Sequence, residues 1–170
     1  MKNIRKSAFT LIEMMIALFI FSIGIASSFV LLQKVATSSS ISSSRLTAIF
    51  LAKEGTEIIR NIRDYNWAKS RVWDKNIEET VDTRLQYNSR KFPDTNISFN
   101  PCYLKFDPSK RFISCSSEGK FKRTITVTKE DLDGDDKSDK IHVVSKVEWE
   151  EKNKTFQVYS VEDLYNWYEE

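Results

Sequence analysis

Apolar positions run almost unbroken from Phe9 to Leu32, and the only ionisable side chain among them is Glu13. From Met14 to Leu32 there are 19 residues without a charge. As a helix they would span roughly 28 Å, close to the hydrocarbon thickness of a bilayer. A polar stretch follows at 37–44, Thr-Ser-Ser-Ser-Ile-Ser-Ser-Ser. It is of low helix propensity and, taken alone, would be a linker. Beyond it Leu46, Ile49, Phe50, Ala52, Gly55, Ile58, Ile59 and Ile62 recur every three or four residues. That spacing predicts an amphipathic helix whose stripe lies on a partner surface. Arg45, Lys53, Glu54, Glu57, Arg60, Arg63 and Asp64 fill its other faces, and no proline precedes Pro93. The pattern predicts one long helix over about 9–66, with residues 9–33 crossing a membrane, 34–66 forming a stalk, and the serine run as a soft point.

After Trp67 the period shortens. Residues 121–128 and 141–149 alternate apolar or bulky with polar side chains, and 155–161 follows a turn at 151–154. Residues 103–106 and 111–114 flank Asp107-Pro-Ser-Lys110, a type I turn sequence. Shorter candidates are 97–100 and 81–87, the latter a strand or an exposed loop. The end of the chain from Val161 reads equally as a short helix or a trailing strand. These runs predict an α+β fold: a long amino-terminal helix packed on a small antiparallel sheet, one face of which rests on the helix. The regions are then 1–8, 9–66 and a mostly β head at 67–170.

Charge changes the picture at the amino terminus. Residues 1–8 carry Lys2, Arg5 and Lys6 and no acid, so the formal total of +2 leaves residues 9–170 at −1. The basicity belongs to the leader, and no basic stripe suggests nucleic-acid binding. The apolar run exceeds an ordinary signal-peptide core, and the positive leader should stay on the cytoplasmic side. Hydropathy alone is satisfied by a plain uncleaved signal anchor. Glu13 is not explained that way, because an intramembrane carboxylate costs about 2.5–3.5 kcal/mol and by default has a partner. A membrane-edge glutamate reaching the headgroups is the simpler alternative.

The junction at 6–18 reads Lys-Ser-Ala-Phe-Thr-Leu-Ile-Glu-Met-Met-Ile-Ala-Leu. It resembles the class III leader of type IV pilins and pseudopilins, with the resemblance close over residues 1 to about 35. The family usually has Gly where Ala8 stands. The resemblance implies cleavage by prepilin peptidase between Ala8 and Phe9, N-methylation of Phe9, and pairing of Glu13 with the Phe9 amine of a neighbouring subunit. The physical sense is independent of the family. Cleavage there removes three positive charges and creates an amine four residues before Glu13, protonated near neutral pH and able to stabilise a carboxylate in low dielectric. A second segment, residues 51–67, resembles minor pilins in which Ala-x-Glu-Gly precedes Arg-Asn-x-Arg-Asp. Gly55 costs up to about 1 kcal/mol in a helix interior, which suggests close approach of a strand or loop there.

Two further constellations call for chemistry. Cys102 and Cys115, the only cysteines, flank the 107–110 turn and are disulfide candidates if the head is extracytoplasmic. With one histidine, His142, they make no zinc set. Asp131, Asp133, Asp135 and Asp139 occupy the first, third, fifth and ninth positions of an EF-hand-like loop, with the Lys137 carbonyl at the seventh. Asp136 replaces the turn glycine and His142 the final glutamate, so a calcium loop and a solvated acidic hairpin turn both stand. Catalysis finds no support, since no phosphate loop, nucleophile motif or acid–base pair can be singled out.

The expected role is that of a type IV pilin-like subunit, more a minor than a major one, structural and not enzymatic. Its partners would be the prepilin peptidase/methyltransferase, other pilin subunits, the assembly platform and, before assembly, membrane lipid. It would sit in the cytoplasmic membrane with its amino terminus inside, then in a pilus at the cell surface. A pseudopilin of a type II secretion or DNA-uptake machine shares the same leader. A signal-anchored extracellular domain binding calcium or another ligand is the alternative of a different class.

Overall fold

The computed structural model describes residues 10–109, 112–135 and 137–167. Internal packing divides the chain into two units, residues 1–43 and 44–170. The first helix, α1, is assigned over Leu11–Ala68. Thr10 caps it: its hydroxyl oxygen accepts a hydrogen bond from the Glu13 N–H at 3.3 Å, the geometry of a threonine N-cap. The serine run is helical throughout. Hydroxyls of Ser22, Ser27, Ser28 and Thr37 donate to carbonyls three or four residues back, at 2.8–2.9 Å. Such back-bonding satisfies a polar side chain inside the helix itself. The helix ends where Ser70 takes a positive φ of 48° and the Asn66 and Trp67 carbonyls accept turn hydrogen bonds from Lys69, Ser70 and Arg71.

In the second unit six strands form one antiparallel sheet: β1 Thr80–Asp82, β2 Tyr103–Asp107, β3 Phe112–Ser116, β4 Phe121–Glu130, β5 Lys140–Glu151 and β6 Lys154–Tyr165. Their order is β3-β2-β4-β5-β6, with β1 pairing beside β2 on β4. The β5–β6 register is unbroken over twelve pairs, from Lys140↔Tyr165 to Glu151↔Lys154. Their turn puts both Lys152 and Asn153 at positive φ, the requirement of the tight hairpin turn that matches strand twist. Along β5 the odd positions Ile141, Val143, Ser145, Val147 and Trp149 are buried. Along β4 the buried positions are Arg123, Ile125 and Val127.

These faces and the helix residues from Ser44 onward enclose the core. Ile58, Ile59 and Ile62 pack with Ile125, Val127, Ile141, Val143 and Leu164 at one end. Ala48, Leu51 and Ala52 pack with Leu104, Val147 and Trp149 at the other. The buried helix face departs from the expected stripe. Leu46 and Phe50 are 55% and 63% exposed and Ile49 is also exposed, whereas Ala48 and Leu51 are buried. The stripe follows Ala48, Leu51/Ala52, Gly55, Ile58/Ile59 and Ile62, so Leu46 and Phe50 fall on the outer face beside Lys53 and Glu57. Arg63, expected outside, is buried and stacks on Trp67 at 4.5 Å.

One strand expectation fails, and the segment expected as a strand or an exposed loop is part of each, with Thr83 and Leu85 buried. Residues 97–100 form no strand, and of 81–87 only Val81 and Asp82 belong to one. Turns take the place of strand pairing, with the Ile97 N–H donating to the Asp94 carbonyl, the Leu85 N–H to the Thr83 carbonyl and the Asp94 N–H to the Arg84 carbonyl. The ambiguous carboxyl-terminal segment is strand as far as Tyr165.

Candidate functional site

Ala8 and Phe9, the expected processing pair, lie outside the described residues. Glu13 stands in the first turn of α1. There the unpaired N–H groups and the helix dipole favour a negative charge. Thr10-Leu-Ile-Glu13 is also a capping-box pattern, in which a threonine N-cap is followed three residues later by glutamate. The Thr10 half of that box is present in the Glu13 N–H to Thr10 Oγ1 bond. Thr10 went unread in the sequence although its signal, Thr-x-x-Glu before an apolar run, was there. From Leu11 to Val35 the large apolar side chains are exposed, and none of the most apolar window is buried in the protein. By length and composition this stretch is sufficient to cross a membrane.

At the Ala-x-Glu-Gly segment α1 comes close to the sheet. A Cβ on Gly55 would lie 2.4 Å from Ser145 Oγ, 2.8 Å from Ile125 Cδ1 and 3.0 Å from Arg123 Cδ. Arg123, 1% exposed, faces this gap from β4. Its Nη1 donates to the Leu51 carbonyl at 3.0 Å and to Glu54 Oε2 at 3.1 Å, and its Nη2 donates to the Leu85 carbonyl at 2.9 Å. Burial pushes the guanidinium below its ordinary pKa, and Glu54 opposes that. Sequence reading passed over Arg123 because charged residues in strands usually face solvent. The available signal was its place on the same face as Phe121, Ile125 and Val127.

Cys102 and Cys115 are joined in a disulfide 13 residues apart in sequence, from the residue just before β2 to the adjacent strand β3. The Cys115 sulfur lies 3.8 Å from the Leu85 carbonyl that Arg123 also holds. The segment between β1 and β2 is thus fastened to the sheet at Leu85 and again by the disulfide at Cys102, and it is closed on itself where the Cys102 N–H donates to Thr83 Oγ1 at 2.9 Å.

The acidic run forms the loop between β4 and β5. Carboxylate oxygens of Asp131, Asp133 and Asp139 lie within 4.8 Å of one another. Asp135 is not among them; its carboxylate pairs with Lys137 Nζ at 2.9 Å. Asp131 Oδ1 accepts from the Asp133 and Gly134 N–H groups, and Asp139 Oδ2 from the Leu132 N–H. Asp133 accepts a backbone hydrogen bond from Asp135, which favours its charged form, but desolvation and the charges of Asp135, Asp139 and Asp131 push its pKa up overall. Asp136 lies outside the described residues. His142 is not in the loop at all: on β5 it faces Asp163 of β6. So three of the expected ligands converge, and Asp135 is engaged elsewhere.

The family model for the prokaryotic N-terminal methylation motif matches residues 3–29. No curated protein and no solved structure gives a significant match to this chain. The matched residues contain Arg5 and Lys6 of the basic cluster, the Ala8–Phe9 junction, Thr10, Glu13 and most of the uncharged apolar run. The motif implies processing by a prepilin peptidase and assembly with other pilins. With its capped helix start and single carboxylate, the amino-terminal segment carries the prokaryotic N-terminal methylation motif and is similar to the prepilin leaders of type IV pilins and pseudopilins.

Proposed function

We propose that this chain is a type IV pilin-like structural subunit, of the minor class, cleaved between Ala8 and Phe9 and N-methylated on Phe9. It enters the cytoplasmic membrane through residues 9–33 with its amino terminus inside, and is drawn into a pilus at the cell surface. Glu13 is the assembly determinant, pairing with the Phe9 amine of a neighbouring subunit. The protein carries no catalytic activity in this reading. A pseudopilin of a secretion or DNA-uptake machine is the nearest variant of it. The observation that carries the proposal is the methylation motif at residues 3–29, on a helix long and apolar enough to cross a membrane.

The test separates insertion from assembly. Glu13→Ala should leave membrane insertion and cleavage intact and reduce recovery of the subunit in sheared filaments by about tenfold or more, the order expected when one buried charge pair is lost. Recovery equal to the parent would sink the role given to Glu13.

A second, separate proposal concerns the β4–β5 loop. The convergence of Asp131, Asp133 and Asp139 favours a low-affinity calcium site of hairpin-tip type, with Asp135 joining only if it leaves Lys137. Oxygen ligands from short acidic loops are the chemistry that calcium takes.

A further inference from the structure

Arg123 is a fully buried cation that the proposed assembly role does not use. Three parts of the head converge on its guanidinium: the helix through the Leu51 carbonyl and Glu54, the β1–β2 segment through the Leu85 carbonyl, and β4, which carries it. The contact with Leu51 needs a particular neighbour. Gly55 lies four residues after Leu51, so its N–H is the regular helical partner of that same carbonyl. With no Cβ there, the arginine stem and Ser145 can pack against the helix backbone, at distances a side chain would occupy.

We infer that Arg123, Glu54 and Gly55 form a register lock that fixes the position of the sheet along α1. The alternative positions are one helical turn away, and each fails at the place of Gly55. A one-turn slide brings Leu51 or Ala52 in one direction, and Ile58 or Ile59 in the other, to the place that only a glycine fits. The slides that bring Leu51, Ala52 or Ile59 there also carry Glu54 roughly 5 Å away and leave a buried charge without its counter-ion, whereas the slide that brings Ile58 there moves Glu57 toward the place of Glu54 and is refused by the lost glycine alone. The apolar contacts alone discriminate less well, because Ala48, Leu51, Ala52, Ile58, Ile59 and Ile62 offer a similar surface at successive turns. A buried ion pair of this kind adds little net stability over an apolar replacement, and its value lies in rejecting the wrong arrangement. The inference stands on the head alone and does not depend on filament assembly.

Thr56 and Ser160 provide the readout, since their hydroxyl oxygens lie 3.5 Å apart across the α1–β6 contact. In the full-length chain in detergent, a Thr56→Cys/Ser160→Cys pair should form a disulfide on mild oxidation, measured by peptide mass alongside the native bond. Adding Arg123→Met, which fills the space without the charge, should lower that yield roughly tenfold in protein whose sheet is still folded by circular dichroism. The Ala52→Cys/Ser160→Cys pair, one turn away, should gain yield in the same background. A Thr56–Ser160 yield unchanged by Arg123→Met would overturn the lock and leave the arginine a core filler. If Arg123→Met does not fold, Glu54→Gln decides. It sits at the partly exposed end of the pair. A reduced yield supports the lock and an unchanged yield overturns it.

Discussion

At the scale of single residues, one charge stands in an apolar run of sequence and another in the core, and each is answered differently. Glu13 was legible at once, because one carboxylate in an apolar run demands an explanation from sequence alone. Its immediate structural neighbour, Thr10, shows that the helix start already offers it polarised N–H groups, before any new amine is formed. Arg123 was not legible. Its contacts are two backbone carbonyls and one carboxylate from segments 38–72 residues distant, and no local pattern announces them. Gly55 bridges these cases: its cost in a helix suggested close packing, and the structure supplies the atoms. Gly55→Ala should therefore destabilise the head by about 1–3 kcal/mol through overpacking, in spite of alanine's better helix propensity. Thermal unfolding of the purified protein would measure this, and a rise in melting temperature would contradict the packing described.

At the scale of elements, β4, β5 and β6 were readable because each buries one face, so the alternation of side chains reports the pleat directly. The residues from 83 to 102 were not readable, since a segment held by side-chain turns and a disulfide has no period. The helix lies between. Its existence followed from the 3–4 spacing, but Leu46, Ile49 and Phe50 were assigned to the sheet side and lie on the other. Apolarity tells that a residue wants a partner, not which partner, and this helix is apolar on more than one face.

The Cys102–Cys115 bond closes a 13-residue separation. Replacing both cysteines by serine should lower head stability by about 3 kcal/mol on the chain-entropy account, visible as a reduced denaturation midpoint. A midpoint unchanged within error would mean the turn is held without it. For the β4–β5 loop, millimolar calcium should raise the melting temperature of the parent and leave an Asp131→Asn/Asp133→Asn variant unmoved. Absence of any shift in the parent would dismiss the site.

At the scale of the whole molecule, acid should act through carboxylates held in pairs. Partial burial works to raise the Asp82 pKa, but hydrogen bonds from Arg84, the nearest oxygen at 2.6 Å, bring it below the ordinary value. The His142 hydrogen bond does the same for Asp163 on the exposed face, with Lys140 adding to it. A depressed folded-state pKa contributes stability that is fully present above the unfolded value, about 3.9 for aspartate, and is lost as pH falls through the folded value. Stability should thus decline on acidification below about pH 4, and Asp82→Asn should flatten part of that slope. A slope in urea titrations unaltered by Asp82→Asn would remove Asp82 from the account.

The central claim concerns what happens to the amino terminus, and the mass of the mature amino-terminal peptide from membrane-purified protein tests it most directly. The account predicts a chain that begins at Phe9 and carries an added methyl group on its amine, with Lys2, Arg5 and Lys6 gone. A chain that retains those three residues in the membrane would contradict it and return the protein to a plain signal-anchored domain.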